Sequence, residues 1–372
     1  MIMIRHYFTC ANTSKGFVNY FESNLDGMDK IYILKGGPGT GKSTLMKRIG
    51  TIFSSSYDVD FIHCSSDVES LDGVVIRELK VAVVDGTAPH VIEPKAPGAI
   101  EEYVHLGTAW NIPMLTEGKE AIVELQANIK ECYRLAYEAF AKALTVHDDW
   151  EKVYIAHMDF DKANALTDKL TEWIVGPTVK KDVKGREWHR FFGASTPHGS
   201  VDFIDNLTEN LSTRYFIKGR PGTGKSTMLK KIAKSALDAG FDVEVYHCAF
   251  APDSLDMLII PERDLCIFDS TAPHEHFANQ DGDIYVDVYA EFIAEGTDEL
   301  YEEQLKDTEN AYREIINEAC AQLGKAKCYH DDLEKYYIRA TDFNEINRIK
   351  KDLLNKIQKR QLDSQNTIIP LK

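Results

Sequence analysis

At 372 residues, with 44% hydrophobic residues, the chain has the make-up of a globular protein of about two domains at ~150 residues each, both able to bury a core. A net charge of −16 disfavours nonspecific binding to nucleic acid or to an anionic membrane. No run approaches the ~18 apolar residues of a membrane span, the start Met1-Ile2-Met3-Ile4-Arg5-His6 is too short an apolar stretch for a signal peptide, and seven cysteines without C-x-x-C read as reduced thiols, so a cytoplasmic location is expected.

Along the chain, a short strand over residues 7–10 leads through a loop or helix to an apolar strand at 30–34. Directly after it stands Gly36-Gly37-Pro38-Gly39-Thr40-Gly41-Lys42-Ser43-Thr44, which satisfies G-x-x-x-x-G-K-[ST]. The glycines let the backbone turn tightly and aim its N–H groups at phosphate oxygens. A helix with Leu45, Met46 and Ile49 on one face follows, and its N-terminal end adds positive potential. Lys42 is placed to reach the β- and γ-phosphates, and Ser43 to give a hydroxyl to Mg²⁺. The expected ligand is therefore a nucleoside triphosphate with Mg²⁺.

The next strand ends at His63-Cys64. Adjacent strand residues point to opposite faces, and no further Cys/His set with zinc spacing lies nearby, so packing is favoured over metal binding. A short connection containing Ser70-Leu71-Asp72 leads to an apolar strand over 81–85. Its final Asp85 stands where a carboxylate holds Mg²⁺; the alternative is an Asp that only forms a turn. Gly86 follows, where many phosphate-cleaving enzymes carry a water-positioning Glu. Thr87 and His90 are the nearby polar groups, and His90 either orients water or sits in a rigid Thr-Ala-Pro-His turn.

A helical arm is expected at about 116–175, with Ile122, Leu125, Ile129, Cys132, Ala136, Phe140 and Ala143 at 3/4 spacing. Two antiparallel helices would form a hairpin roughly 38 Å long. Asp148 and Glu151 resemble an N-cap and N3 pair opening the second arm helix. Packing of the arm on the sheet or on the other half is favoured over a lid or an arm for a protein partner.

A polar join at 176–185 introduces a second round of the same pattern. Gly219-Arg220-Pro221-Gly222-Thr223-Gly224-Lys225-Ser226-Thr227 matches the first loop at eight of nine residues, 183 positions later. It follows an apolar strand at 214–217 and precedes a helix with Met228, Leu229, Ile232 and Ala236. Lys225 and Ser226 take the roles of Lys42 and Ser43. His247-Cys248, Ser254-Leu255-Asp256, Asp269 and Thr271-Ala272-Pro273-His274 repeat their counterparts, with Ser270 in place of Gly86. A second arm is expected at about 298–360, with Leu333, Tyr336, Ala340, Phe343, Ile346, Leu353 and Ile357 on its apolar face and Asp331 with Glu334 as the matching cap pair. Residues 147–160 share nine of fourteen positions with 330–343. Arg220 replaces Gly37; a solvent-facing arginine is favoured over an arginine finger.

The alternation of strands and helices predicts an α/β fold of two tandem domains, 1–185 and 186–372, each a mostly parallel sheet flanked by helices with a helical hairpin appended. Ligands of such sheets sit at the carboxyl ends of the strands. The chain resembles the P-loop NTPase superfamily through Gly36 to Thr44 with Asp85, and through Gly219 to Thr227 with Asp269. More loosely, it is similar to a bacterial family of tandemly duplicated ATP-binding proteins. The resemblance implies two ATP sites, with Mg²⁺ held by Ser43 and Asp85 and by Ser226 and Asp269. No Asn-Lys-x-Asp stands for guanine, and no Leu-Ser-Gly-Gly-Gln marks a transporter cassette.

The expected activity is a Mg-dependent ATPase in which Lys42, Lys225, His90 and His274 serve catalysis and hydrolysis drives a conformational change. A kinase acting on a small molecule or nucleotide is the alternative, and a non-hydrolysing ATP-dependent scaffold the second.

Overall fold

The computed structural model describes residues 2–176 and 183–367; residues 177–182 of the expected join lie outside the described residues. In chain order the first half forms β1 (Ile4–Tyr7), β2 (Cys10–Thr13), β3 (Gly16–Asn19), α1 (Phe21–Leu25), β4 (Lys30–Lys35), α2 (Lys42–Phe53), β5 (Val59–Cys64), β6 (Asp67–Ile76), β7 (Val81–Asp85), β8 (Glu101–His105), α3 (Ile112–Glu117), α4 (Lys119–Ile155) and α5 (Phe160–Val175). The second half forms β9 (Glu187–Arg190), β10 (Gly193–Thr196), β11 (Gly199–Asp202), α6 (Ile204–Thr208), β12 (Thr213–Lys218), α7 (Lys225–Asp238), β13 (Val243–His247), β14 (Leu255–Ile260), β15 (Leu265–Asp269), β16 (Asp283–Asp287), α8 (Val288–Phe292), α9 (Thr297–Leu300), α10 (Glu302–Arg339) and α11 (Phe343–Thr367).

The fold is α/β, with two six-stranded sheets flanked by helices. The first sheet runs β1-β5-β6-β7-β4-β8 and the second β9-β13-β14-β15-β12-β16, the same order of equivalent strands. Both are mixed. β6 and β14 run antiparallel to both neighbours, where the sequence pattern suggested only a short connection. The physical reason is a connection of two residues between β5 and β6, too short for the crossover that a parallel pair needs. Apolar Val74, Val75 and Ile76 then bury fully in the sheet. In each half the strand that leads into the glycine-rich loop, β4 or β12, lies parallel and next to the strand carrying the aspartate, β7 or β15.

The chain forms two compact units, and these are not the two contiguous halves expected. Unit 1 comprises Met1–Cys10, Leu25–Arg134 and Gln322–Lys372; unit 2 comprises Ala11–Asn24 and Leu135–Ala321. The arms explain the difference. In unit 1, Leu45, Met46, Ile49 and Phe53 of α2 and Tyr32, Leu34, Val81 and Val83 of the sheet share one core with Ile346, Leu353 and Ile357 of α11. In unit 2, Leu170, Ile174 and Val175 of α5 lie in the core of α7 and its sheet. Each half thus sends the second helix of its arm into the core of the other half's sheet. Leu353 is only 2% exposed, so Leu353→Ala should lower the stability of unit 1 by about 2–5 kcal/mol. A denaturant titration showing no loss would contradict the place of α11 in that core.

The arm helices also differ from expectation at their turn. Asp148 and Glu151 lie inside α4, a single helix of 37 residues, and Asp331 and Glu334 lie inside α10, of 38 residues. Neither pair is a cap. Trp150, Val153 and Tyr154 continue the helical apolar spacing, and the pairs Asp149–Lys152 and Asp332–Lys335 (2.6 Å each) close within the helices. The caps come eleven residues later, about three turns along the chain. Asp159 Oδ1 accepts from the Lys162 N–H (3.0 Å) at the start of α5, and Asp342 Oδ1 accepts from the Asn344 N–H (2.9 Å) at the start of α11.

Candidate functional site

In each unit the glycine-rich loop joins a buried strand to a helix beginning at the motif lysine. Gly39 and Gly41 have φ of 69° and 77°, and Gly222 and Gly224 have 74° and 78°, a left-handed backbone that favours glycine. Thr40 Oγ1 donates to Gly37 O (2.9 Å) and Thr223 Oγ1 to Arg220 O (2.7 Å), bracing the loops identically.

The lysines fold back over their loops. Lys42 Nζ donates to Gly36 O (2.8 Å) and Gly37 O (2.9 Å) and lies 3.6 Å from Asp85 Oδ2. Lys225 Nζ donates to Arg220 O (2.8 Å) and lies 3.4 Å from Asp269 Oδ2. Lysine and aspartate therefore meet at the carboxyl end of adjacent parallel strands in both units, with the serine next to the lysine in sequence. Asp85 and Asp269 also form the turn that was the alternative reading: each Oδ1 accepts from the N–H and hydroxyl of the Thr two residues on, Thr87 and Thr271.

Two features of the site went unassigned in the sequence. Ser43 Oγ accepts from the Leu71 N–H, and Ser226 Oγ from the Leu255 N–H, both at 3.0 Å. The antiparallel strands β6 and β14 thereby bring Asp72 and Asp256 beside the site. Burial pushes the Asp72 carboxyl up to about 6, with His90 pulling it down and Asp85 pushing it up. Burial, and then Asp269, push Asp256 up to about 6 as well. The repeated Ser-Leu-Asp was the signal, but without β6 it had no place in space.

The histidines expected near the site differ between units. His90 Nε2 lies 3.3 Å from Asp72 Oδ2 in unit 1, whereas His274 Nδ1 lies 2.9 Å from Asp202 Oδ2 in unit 2. Both follow a tight turn, since the His90 N–H donates to Thr87 O (2.8 Å) and the His274 N–H to Thr271 O (3.0 Å). Cys64, Asp72 and His90 bring their ligand-type atoms within 4.8 Å of one another. Arg220 is exposed, as favoured from the sequence, and is tethered at the surface: Nη2 lies 3.0 Å from Asp298 Oδ2, and the guanidinium lies over Tyr289 at 5.2 Å.

His63 and His247, adjacent to the strand-end cysteines, belong to a second repeated device. The His63 Nδ1–H donates to Val68 O (2.7 Å), so in the neutral ring Nε2 is the acceptor for His6 Nδ1–H (2.8 Å). His247 is held the same way by Pro252 O and His189. Burial lowers His63 and His247 to about 4. Because the unfolded value is higher, at 6.5, the contribution of His63 is fully present above about pH 6.5 and is lost as pH falls toward 4. His63→Gln should therefore cost more stability at pH 7.5 than at pH 4.5. Equal losses in thermal melts at the two pH values would contradict this.

The arms reach the loops. In unit 1 the Gly39 N–H donates to Glu334 Oε1 of α10 (3.2 Å). A Cβ at Gly37 would stand 2.7 Å from Tyr337, and one at Gly39 2.7 Å from Ile338. In unit 2 a Cβ at Gly222 would stand 2.6 Å from Glu151 O of α4. His330 and His147 lie one turn before these glutamates, with Nδ1 at 4.0 Å from Glu334 Oε1 and 3.7 Å from Glu151 Oε1. The His-Asp-Asp-x-Glu-Lys repeat is thus a loop-contacting segment, which spacing alone did not show. No family model, curated protein or solved structure matches the chain.

Proposed function

We propose that each unit binds ATP with Mg²⁺ at its phosphate loop, and that the protein is a Mg-dependent ATPase whose nucleotide cycle drives a conformational change. The observation that carries this reading is the Lys42–Ser43–Asp85 set and its repetition as Lys225–Ser226–Asp269. The oxygen donors Ser43, Asp85, Ser226 and Asp269 suit a hard cation, which when bound would offset the charge of the transferring phosphoryl group. Lys42 and Lys225 add charge neutralisation at the same place, and the loop N–H groups orient the phosphates. His90 and His274 are the groups assigned to orient water, each fixed by a carboxylate.

Phosphate release should require Mg²⁺ and should fall by about 10²-fold or more when Asp85 and Asp269 both become Asn. Unchanged release in that double variant would remove the two aspartates from the site.

Gly86 and Ser270, standing where a water-positioning Glu is often found, support a second reading: phosphoryl transfer to a small molecule or nucleotide. Little release by the protein alone, with turnover restored by an added pool of acceptors, would favour the kinase.

A further inference from the structure

We propose that Glu334 competes with the nucleotide's phosphates for the Gly39 N–H, so that the arm helix α10 regulates the first site and is in turn displaced by its ligand. The proposal rests on the reading of the loop as a nucleotide site. A loop with left-handed glycines at 39 and 41 forms a concave nest whose N–H groups suit an anion. In this structure the Gly39 N–H is already given to an anion, Glu334 Oε1 at 3.2 Å. A carboxylate and a phosphate oxygen cannot share one donor without bringing like charges into contact.

The contact is built into the packing. Tyr337 and Ile338, on the same turn of α10 as Glu334, press on Gly37 and Gly39 so closely that neither glycine could carry a Cβ without movement. Trp110 packs on Tyr337 with ring centroids 5.5 Å apart. The helix end is therefore seated on the loop, and the carboxylate is its charged tip.

The second unit repeats the packing of arm on loop in its own residues, without the carboxylate hydrogen bond. Glu151 corresponds to Glu334 and Gly222 to Gly39, each pair 183 positions apart. Glu151 packs on Gly222, with its backbone O and Cβ within 2.8 Å of where a Cβ would stand. His330 offers the displaced Glu334 a partner one turn away, at 4.0 Å; in unit 2 Glu151 already faces the equivalent His147 at 3.7 Å. The most similar stretch of the two arms, 147–160 and 330–343, is thus the segment that meets a phosphate loop.

The test is equilibrium binding of Mg-ATP to the full chain carrying Lys225→Ala, which restricts the reading to the first site. Adding Glu334→Gln keeps the size and the acceptor oxygen but removes the charge, and should tighten binding about ten-fold. Asp332→Asn, which removes an exposed charge from the same turn, should leave affinity unchanged. Equal or weaker binding by the Glu334→Gln protein would overturn the competition while leaving the nucleotide site intact. An equal gain from Asp332→Asn would also overturn it, since the effect would then be general charge. Absence of Mg-ATP binding in every variant would defeat the nucleotide reading itself, and the proposal with it.

Discussion

Replacing Lys42 and Lys225 together by alanine is expected to lower phosphate release from Mg-ATP by about 10²–10³-fold, the scale seen when a preorganised charge or donor is removed from a reacting centre. The lysine side chains are 11% and 10% exposed and are held by loop carbonyls at 2.8–2.9 Å. Each is therefore held at its loop in advance and would exchange these carbonyls for phosphate oxygens. Each also faces an aspartate, Asp85 at 3.6 Å or Asp269 at 3.4 Å, whose negative charge would repel phosphate if the lysine were gone. Lys42→Ala alone should remove the turnover of unit 1, and Lys225→Ala that of unit 2. Full turnover in the double variant would take catalysis away from both loops.

Gly39→Ala should be the most damaging single substitution in the first loop. At φ 69° an L-residue carries backbone strain of order 1–3 kcal/mol. The added Cβ would also meet Ile338 Cγ1 at 2.7 Å, Ile338 Cδ1 at 3.2 Å and the Glu334 carbonyl at 3.3 Å. The helix would have to lift from the loop, adding about 1–3 kcal/mol of overpacking. Gly16→Ala makes a suitable comparison, because Gly16 has φ 90° with nothing within 4 Å of the added Cβ. It should cost the backbone strain alone. Calorimetric melting separates the two terms: Gly39→Ala should lose more stability than Gly16→Ala and should also lose first-site ATP binding. Equal losses with binding retained would mean that the arm does not bear on the loop.

The sequence made the loops legible because their chemistry is local. A tight turn, inward N–H groups and a lysine at the helix start need contiguous residues, and Gly36 to Thr44 supplies them all. Asp85 was legible for a related reason, as the polar end of a fully apolar strand. Asp72 was not, because its meaning depends on an antiparallel strand whose existence turns on the two residues between β5 and β6. The arms show a different limit. The stripes of α4 and α11 revealed that a face is buried, and packing on the protein itself was the favoured reading. The two halves carry apolar sheets of the same strand order, so spacing could not say which core each helix enters. Asp148 with Glu151 misled in a similar way. The pattern of a cap is real in the residues, but a cap forms only where the helix begins, and the unbroken apolar spacing through Tyr154 carried α4 past it. The exchange of arms in turn placed Glu334 on Gly39, a contact across 295 positions that no local pattern encodes.

The most direct test of the central claim is calorimetric titration of the full chain with Mg-ATP. Two equivalents bound per chain, falling to one in Lys42→Ala or Lys225→Ala and to none in the double variant, is the predicted result. Binding that persists undiminished in the double variant, or no binding in the unaltered chain, would contradict two phosphate-loop nucleotide sites.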